Sequence, residues 1–436
     1  MNREFSMSGR LFPRLPVLLL GLALLSGADE PKRAPTTGQT VVGKCVSPMT
    51  ALLGREGPDR PWQICKPGDP VRDGEHLVAL ADAAIDSSDG AVRLSLLPDL
   101  AGQSTLPLLE SAVVLHRNPD AALDFTLETG RVVLANQKKE PAQVRLHFRK
   151  ETWNLTLAAA GTKVALVLYG RWPRGMPFSK EARAGDEPTA DLMLFVLHGE
   201  VQLRTGTDQY ALQGPRGPAG FHWDSVAGPD AGPQREEQIP IWARTDMATP
   251  LSSGPLKNVV ERIQNRRIED GLLGSVRSAD AQERRIAVAA MGALDDLPDL
   301  TAALANPQHE NTREVAISTL RHWIGRAPGQ DQRLYQFLVQ SKQYSANQAA
   351  LVLQLLHSFG ESDLARPATF ETLIDYLLHE KLAIRQLAKW HLHRLVSAGR
   401  SIAFDPAGSA EARQRAYEQW KKLIPNGRLP PPGPPK

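Results

Sequence analysis

The sequence predicts a multidomain protein in which an all-β sandwich or jelly-roll-like domain precedes an all-α domain of helical repeats. Residues 41–225 alternate short apolar runs with turn residues, and residues 226–255 are rich in Pro, Gly and charge. Residues 256–425 carry apolar residues at helical spacing. A chain of 436 residues also exceeds what a single hydrophobic core usually serves, so we expect two or three domains.

Residues 1–28 have the composition of a secretory signal peptide. The apolar run LPVLLLGLALL is followed by Ser-Gly-Ala as a cleavage site and is preceded by three basic residues, Arg3, Arg10 and Arg14. We expect cleavage before Asp29 and export to the periplasm, the cell surface or the extracellular space, with 29–40 as a mature N-terminal linker. An uncleaved signal anchor is the alternative. No later segment approaches the ~20 apolar residues that span a bilayer, so no transmembrane anchor is expected after cleavage.

The chain is almost neutral once the signal peptide is removed. The formal net charge is +3, and residues 1–28 hold three Arg and one Glu, which leaves 48 basic against 47 acidic residues. A nucleic-acid-binding protein needs a dense basic surface to displace counterions from phosphates. We therefore expect no nucleic-acid partner.

The two cysteines of the chain, Cys45 and Cys65, lie close together in the sequence. In an exported protein they can be oxidised, and a disulfide closing a loop of this length would stabilise the fold by about 3 kcal/mol in the chain-entropy model. Two buried thiols are the alternative. Two cysteines without clustered histidines do not make a metal site, so no metal or other cofactor is expected.

The segment 41–225 has the pattern of strands joined by tight turns. In DFTLETGRVVLA and similar stretches, apolar residues recur with a period of two, and Gly or Asp separates the runs. Val164, Leu166 and Leu168 fall on one face of such a strand. Many short strands of this kind favour a sandwich or jelly roll over a parallel α/β sheet.

The stretch Gly161-Thr162-Lys163 has a superficial likeness to a phosphate-binding loop. Such a loop needs a second glycine upstream and a helix after it, so that backbone N–H groups wrap the phosphates. Here the β-branched run VALVLY follows, which favours a strand. We expect a turn that enters a strand.

The pattern changes after 226–255, which we predict to be an interdomain linker whose IPIWA segment docks on a neighbour. Helical spacing begins at Leu256, and Ser278 and Ser409 are predicted N-caps of two helices. The last residues, 426–436, contain LPPPGPPK and are predicted to be a disordered, Pro-rich tail.

A weak repeat runs through the helical segment. An Arg is followed by Ala three residues later and by a larger apolar residue four further on, as in Arg284/Ala287/Met291, Arg313/Ala316/Leu320 and Arg385/Ala388/Leu392. The small Ala lets paired helices approach closely, and the larger residue fills the seam. The pattern resembles HEAT-like repeats over 256–425, with an unrepeated helical bundle as the alternative.

Several glycine-centred motifs in 41–225 point to one known family. They are AGTKVALVLYGRW, LFVLHGEVQLR and YALQGPRG, preceded by KPGDPVRDGEHLVAL and LETGRVVL. Together they resemble the FecR-like domain of bacterial envelope proteins, which implies an extracytoplasmic β-domain used for contact and signalling. Typical members also contact a sigma factor through a cytoplasmic N-terminal domain. Only a short basic segment precedes the apolar run here, so we expect no sigma-factor contact.

The stretch 191–223 also resembles a cupin, whose strands carry metal-binding histidines. His198 and His222 would be the ligands, but the His-x-His pair of a cupin is missing from this half of the chain. The chain does contain His391 and His393 in a helical pattern, where residues two apart point about 200° apart and cannot share a metal. Isolated structural histidines are the competing explanation.

No nucleophile, catalytic dyad or ligand cluster stands out in the sequence, and both predicted architectures serve contact. We therefore expect a non-catalytic binding or scaffold protein of the bacterial cell envelope or extracellular space, with an envelope protein or glycan as partner. The alternative is a cupin-like small-molecule sensor or metal-dependent enzyme. Trp323, Trp390 and Trp420 fall at apolar helix positions and are expected in the core, unless an exposed edge of the array uses one to anchor a partner.

Overall fold

A β-rich region is followed by an α-helical region, as the sequence predicts. The structure is a computed structural model that describes residues 40–47, 51–100, 102, 106, 108–181, 183, 185–235, 240–243, 254–341 and 343–431. The predicted signal peptide, nearly all of 29–40 and the end of the predicted tail lie outside these residues. Within them, no helix combines the length and the apolar character needed to cross a bilayer.

The β-rich region contains sixteen described strands. They are β1 (Val41–Cys45), β2 (Leu52–Arg55), β3 (Gln63–Ile64), β4 (Pro70–Arg72), β5 (His76–Ala79), β6 (Ala83–Ser87), β7 (Val92–Leu96), β8 (Ser111–His116), β9 (Leu123–Asn136), β10 (Ala142–Phe148), β11 (Glu151–Leu157), β12 (Lys163–Arg171), β13 (Thr189–Thr205), β14 (Asp208–Gly214), β15 (Gly220–Asp224) and β16 (Gly228–Pro229). The turn at Gly161 (φ 82°) leads directly into β12, so the prediction of a turn entering a strand is confirmed.

These strands form two sheets that share β9 and β13. The first sheet has the order β4-β1-β6-β7-β9-β12-β13-β15-β16. The second has the order β3-β2-β5-β8-β9-β10-β11-β13-β14. Neighbouring described strands pair antiparallel except β9 and β10, which pair parallel.

Each shared strand passes from one sheet to the other at a glycine. β9 crosses at Gly130 (φ 103°) and β13 crosses at Gly199 (φ 84°), in a backbone region that other residues rarely adopt. A Cβ added at Gly130 would also lie 2.4 Å from the Cα of Ser111. The bends let the two sheets enclose one core, in which Phe148 meets Trp153 and Trp223 edge-to-face at 5.0 Å between ring centroids.

Several strands are buried on both faces, which the alternating pattern does not predict. Leu53, Val78 and Ala112 lie side by side across β2, β5 and β8 and face the helical region. Their chain neighbours Leu52 and Leu77 point into the core between the sheets. These strands carry near-continuous apolar runs because something covers each face, as in sheets packed between helices.

The helical region follows with eleven described α-helices. They are α1 (Pro255–Gln264), α2 (Ile268–Val276), α3 (Ala281–Ala293), α4 (Leu297–Leu304), α5 (Glu310–Gly325), α6 (Gln330–Gln340), α7 (Ala346–His357), α8 (Glu361–Leu364), α9 (Pro367–Asp375), α10 (Leu382–Leu395) and α11 (Ala410–Leu423). Ser409 caps α11 by accepting a hydrogen bond from the N–H of Ala412, as predicted. The prediction for Ser278 is wrong, because Asp280 is the N-cap of α3 and accepts from Gln282 and Glu283.

The repeated arginine has a structural role at the start of each helix that carries it. Arg284, Arg313 and Arg385 are each the fourth residue of their helix, and each donates from Nη1 to carbonyls of the loop that precedes it. Arg413 in α11 makes the same bond to Gly408 at 2.9 Å and is followed by buried Ala416 and Trp420, a copy of the pattern that sequence reading missed. The arginine therefore fixes how the chain enters the helix.

The segment 226–255 is partly built into the first sheet. β16 pairs with β15, and Gly220 bridges to Gln234, so pairing continues past residue 225. Trp242 and Ala243 lie in a 3₁₀ turn (Ile241–Ala243), where Ala243 is buried against the outer face of β12 and β13. Within IPIWA, the described residues Trp242 and Ala243 do dock on a neighbour, and that neighbour is the β-rich region itself. The exact domain boundaries stay predictions.

The described residues of the two regions belong to one compact unit and share a hydrophobic core. Two tryptophans of the β-rich region donate to carbonyls at helix ends: Trp62 to Leu294 after α3, and Trp172 to Ile324 in α5, both at 3.0 Å. Such carbonyls have no partner within their own helix. Beside Trp172 the backbones almost touch, since a Cβ added at Gly170 would lie 2.3 Å from the carbonyl oxygen of Gly325.

A buried ionic network joins the two regions at the same place. Glu110, fully buried ahead of β8, lies 2.9 Å from Nη1 of Arg326 and 3.2 Å from Nε2 of His322. Arg326 also pairs with Asp295, whose other oxygen lies 3.1 Å from Arg55 in β2. We call Arg55, Glu110, Asp295, His322 and Arg326 the interface network.

The interface network keeps its carboxylates ionised. Burial alone would raise the pKa of Glu110, but the charges and hydrogen bonds of His322 and Arg326 outweigh burial and hold that pKa well below the ordinary value. The pKa of Asp295 is lowered in the same way by Arg326 and Trp323 against the effect of burial. A carboxylate whose pKa is lowered in the folded state stabilises the fold above its ordinary pKa, and this contribution is lost as the pH falls.

The two cysteines lie next to each other as free thiols in this structure. Both are completely buried, and the thiol of Cys45 lies 3.8 Å from the backbone carbonyl oxygen of Cys65. The backbone N–H of Cys45 donates to Asp69, and that of Cys65 donates to Leu52. The disulfide between Cys45 and Cys65 stays a prediction.

Replacing Glu110 with Gln is expected to lower the free energy of unfolding by about 3 kcal/mol at pH 7, because Arg326 then loses a buried counter-ion. Urea unfolding measures the change, and Glu418→Gln on the exposed side of α11 is the matched control, expected to stay within about 0.5 kcal/mol of the native chain. The difference in the free energy of unfolding between the native chain and Glu110→Gln should become smaller as the pH falls below 4.5, the ordinary pKa of glutamate. A difference that is constant down to about pH 3 would contradict an ionic role.

Candidate functional site

A groove of about 830 Å³ lies where the end of β12 meets the helices. Its walls come mainly from α3, α5 and α10. Five cationic side chains line it, and they define what we call the basic groove: Arg171, Arg285, Arg321, Lys389 and Arg394. Among the described lining residues, the acidic side chain is Glu314. The groove is therefore strongly cationic in a chain that is close to neutral as a whole.

Helical periodicity brings these side chains to one surface. On α5, Glu314, Ser318 and Arg321 lie on successive turns of the face towards the groove, while the opposite face packs in the core. On α10, Trp390 and Arg394 are four residues apart and therefore lie one above the other. Each helix thus brings an arginine to the groove.

Arg321 is the centre of the charge cluster. Its Nη1 donates to the carbonyl oxygen of Leu356, and its guanidinium carbon lies 5.1 Å from the ring centroid of Trp390. Burial, followed by the nearby positive charges of Arg394 and Arg174, lowers the pKa of Arg321 to about 10. No carboxylate of the described residues forms an ion pair with any of these three arginines. Within the described part of the chain, no negative charge offsets the mutual repulsion of the three arginines.

Trp390 sits between the two cations of α5 and α10. The guanidinium carbon of Arg394 lies 4.4 Å from its ring centroid, so both arginines use the same aromatic ring. A cation–π contact contributes roughly 0.5–1 kcal/mol at an exposed site. The ring therefore orients the two guanidinium groups without neutralising them.

The other cations of the groove differ in how they are held. Lys389 forms an ion pair with Glu310 and is neutralised. Arg285 on α3 packs its guanidinium against the backbone of Gly102, where an added Cβ would lie 2.3 Å from Nη2. The uncompensated charge is thus carried by arginines, on α3 at one end and on α5 and α10 at the other.

Arginines in this arrangement suit the binding of an oxyanion. The planar guanidinium presents five N–H donors in a fork that matches two oxygens of a carboxylate or phosphate. An anion that binds between Arg321 and Arg394 would also relieve their mutual repulsion in a partly buried site, where Coulomb energies are larger than in bulk water. The groove is therefore a candidate anion-binding site.

The structure does not bring together His198 and His222, the histidines that a cupin-like site would use. The ring of His222 lies 3.5 Å from Asp191 and 3.8 Å from Asp230, beside a cavity of about 260 Å³. His198 lies five residues along β13 from Met193, which is the strand partner of His222, and so about 16 Å away. Within the described ranges, no set of three His, Cys, Asp or Glu side chains is placed to hold a metal ion.

The two histidines of α10 point to different surroundings, as their spacing predicts. Nε2 of His391 lies 2.7 Å from the carbonyl oxygen of Leu355, and burial lowers the pKa of this histidine to about 4. His393 instead lines the basic groove. The two side chains share no ligand position.

Of the three tryptophans expected in the helical core, two are buried there and one lies in the groove. Trp323 and Trp420 are buried in the helical core, as expected. Trp390 is only partly buried and lies in the basic groove. Sequence reading did not single out Arg321, Arg394 or Arg174, because these residues come from different elements and no motif connects them. The sequence does contain one indication of the site, namely Trp390 followed one helical turn later by Arg394.

Comparisons with known proteins give no relative to set beside these observations. No family model matches the chain, and neither a curated protein nor a solved structure matches it. The resemblances to FecR-like domains, HEAT-like repeats and cupins therefore stay predictions.

Sulfate is expected to stabilise the protein through the basic groove. At constant ionic strength, replacing chloride with sulfate should raise the Tm of the native chain by about 1–2 °C, since an anion that binds the folded state stabilises it. Differential scanning fluorimetry measures the shift. Arg394→Gln should remove more than half of the gain, whereas Arg216→Gln, in the exposed turn after β14, should keep it. Equal gains in all chains would show that sulfate acts elsewhere.

Proposed function

We propose that this chain is an exported, non-catalytic binding or scaffold protein of the bacterial cell envelope or extracellular space. In this proposal its partner is an envelope protein or glycan that inserts an anionic group into the basic groove. A FecR-like β-domain of sandwich or jelly-roll type and a HEAT-like helical array are the two contact surfaces. No cofactor takes part in this function.

The observation that supports the proposal most directly is the unneutralised arginine cluster. Elsewhere at the same interface the chain supplies carboxylates to its buried cations, as Glu110 and Asp295 do for Arg326. Around Arg321 the described residues supply like charges instead, from Arg394 and Arg174. Like charges held together cost folding free energy, and such sites are typical of ligand binding.

Both regions of the molecule contribute to the groove. Arg171 and Trp172 come from the end of β12, and the remaining arginines come from helices. Since Trp172 is hydrogen-bonded to Ile324, the β-rich wall is fixed against α5. A ligand in the groove therefore contacts both regions at once, and the function belongs to the whole chain.

The alternative, a cupin-like small-molecule sensor or metal-dependent enzyme, would use the cavity beside His222. In the described residues that histidine has two carboxylates nearby, and His198 lies far along the strand. We find no observation that favours this function over anion binding.

The mature chain is expected to bind dextran sulfate at low salt and to ignore uncharged dextran. The double variant Arg321→Gln/Arg394→Gln should lose about tenfold or more in affinity, because each charge-assisted contact contributes about 1 kcal/mol or more. Isothermal titration calorimetry measures binding, and circular dichroism verifies that the variant is folded.

The matched control is Arg216→Gln, which removes one exposed positive charge outside the groove and should bind like the native chain. The single variant Arg394→Gln provides a second test in case the double variant unfolds, because this exposed side chain can be changed without opening the core. If the groove variants bind dextran sulfate as well as the control does, the proposed function is wrong.

A further inference from the structure

We propose that the anionic ligand of the basic groove is a linear glycan that carries carboxylate groups and lies across α10, α5 and α3. The inference rests on the proposed function and names the ligand class of the same site.

The arginines form a row with one member on each helix. Arg394 is on α10, Arg321 on α5 and Arg285 on α3. α5 packs against both α3 and α10, and the axes of packed helices lie about 8–10 Å apart. Arg321 and Arg394 share the ring of Trp390, and Arg285 stands one helix further along the groove. A single small anion cannot reach both ends of this row. A chain molecule with repeated negative charges can contact all three positions.

The residues between the arginines suit a ligand that also has hydroxyl groups. Gln282, Glu314 and Ser318 line the same groove. An amide and a hydroxyl can each donate and accept a hydrogen bond, whereas a carboxylate can only accept. The hydroxyl groups of a sugar can donate to Glu314 while the carboxylates of the glycan meet the arginines. A ligand made only of acceptors would face repulsion at Glu314.

The backbone of the groove walls offers little to an extended acidic peptide. Peptides commonly add to an exposed strand edge through main-chain hydrogen bonds. β12, the strand that borders the groove, is paired with β13 as far as Arg171 and with β9 as far as Leu168. Beyond Leu168 its free edge is short, and there Gly170 lies against the backbone of Gly325. The other walls are mainly helices, whose interior backbone groups are bonded within the helix, with a smaller non-helical part from Gly102, Leu106, Leu108 and Leu109. Recognition in the groove therefore depends on side chains, which suits sugar hydroxyls and carboxylates.

The experiment uses titration calorimetry on the full mature chain and compares two oligomers of equal charge, hexagalacturonate and hexaglutamate. Hexagalacturonate is expected to bind about tenfold more tightly than hexaglutamate. The methyl ester of hexagalacturonate keeps the sugar but has no charge, and its affinity should be no higher than that of hexaglutamate. Affinity should rise from digalacturonate to hexagalacturonate, because the longer chain reaches the far end of the row. Dextran sulfate is included as a general polyanion.

The variant Arg285→Gln tests the placement of the ligand. It should weaken hexagalacturonate severalfold and leave digalacturonate, which needs only the Arg321 and Arg394 end, unchanged. If hexaglutamate binds as well as hexagalacturonate while dextran sulfate binds, the glycan assignment is wrong and the anion-binding function stands. If dextran sulfate also fails to bind, both are wrong.

Discussion

The buried carboxylate of Glu110 is the interaction on which the rest of the structure depends. It comes from the β-rich region, it is fully buried, and it pairs with His322 in α5 and with Arg326, the residue that follows α5. An ionised carboxylate in such a place must be paired, because an uncompensated buried charge is strongly destabilising, so the two regions must meet in one register. The close approach of Gly170 to Gly325 and the hydrogen bond from Trp172 to Ile324 require the same register.

The basic groove follows from that register. His322, which holds Glu110, also lines the groove, and Arg321 is its neighbour in the chain. One turn of α5 therefore carries a neutralised charge pair towards the β-rich region and an unneutralised charge towards solvent. The first fixes the helix against the β-rich region, and the second lines the groove. Two adjacent residues therefore have different roles in this account: His322, which is paired with Glu110, stabilises the fold, and Arg321, which has no ion pair among the described residues, is proposed to bind the ligand.

Local patterns in the sequence predicted local structure well. The strand after Gly161 and the cap at Ser409 follow from rules that involve a few neighbouring residues. The cap at Ser278 failed because Asp280, two residues later, offers a better acceptor to the first turn of α3. The recurring arginine was noticed, but its role in holding the preceding loop needs the path of that loop, which periodicity does not give.

The site could not be predicted for a related reason. Its arginines are separated by more than a hundred residues along the chain, from Arg285 to Arg394, and nothing in their spacing indicates that they meet. The burial of β2, β5 and β8 on both faces was not predicted either. The near-continuous apolar runs of these strands were the available indication that a second layer covers them. What decides both features is the packing of the β-rich region on α5, which is a long-range property.

The most direct measurement of this account is native-state hydrogen exchange on the whole mature chain, resolved by peptide. If the two regions are one folding unit held by Glu110, the slowest amides of β8 and of α5 should exchange with the same opening free energy and respond equally to denaturant. Slow exchange in β8 that persists while α5 opens separately would contradict the account, since the groove would then rest on two independent domains.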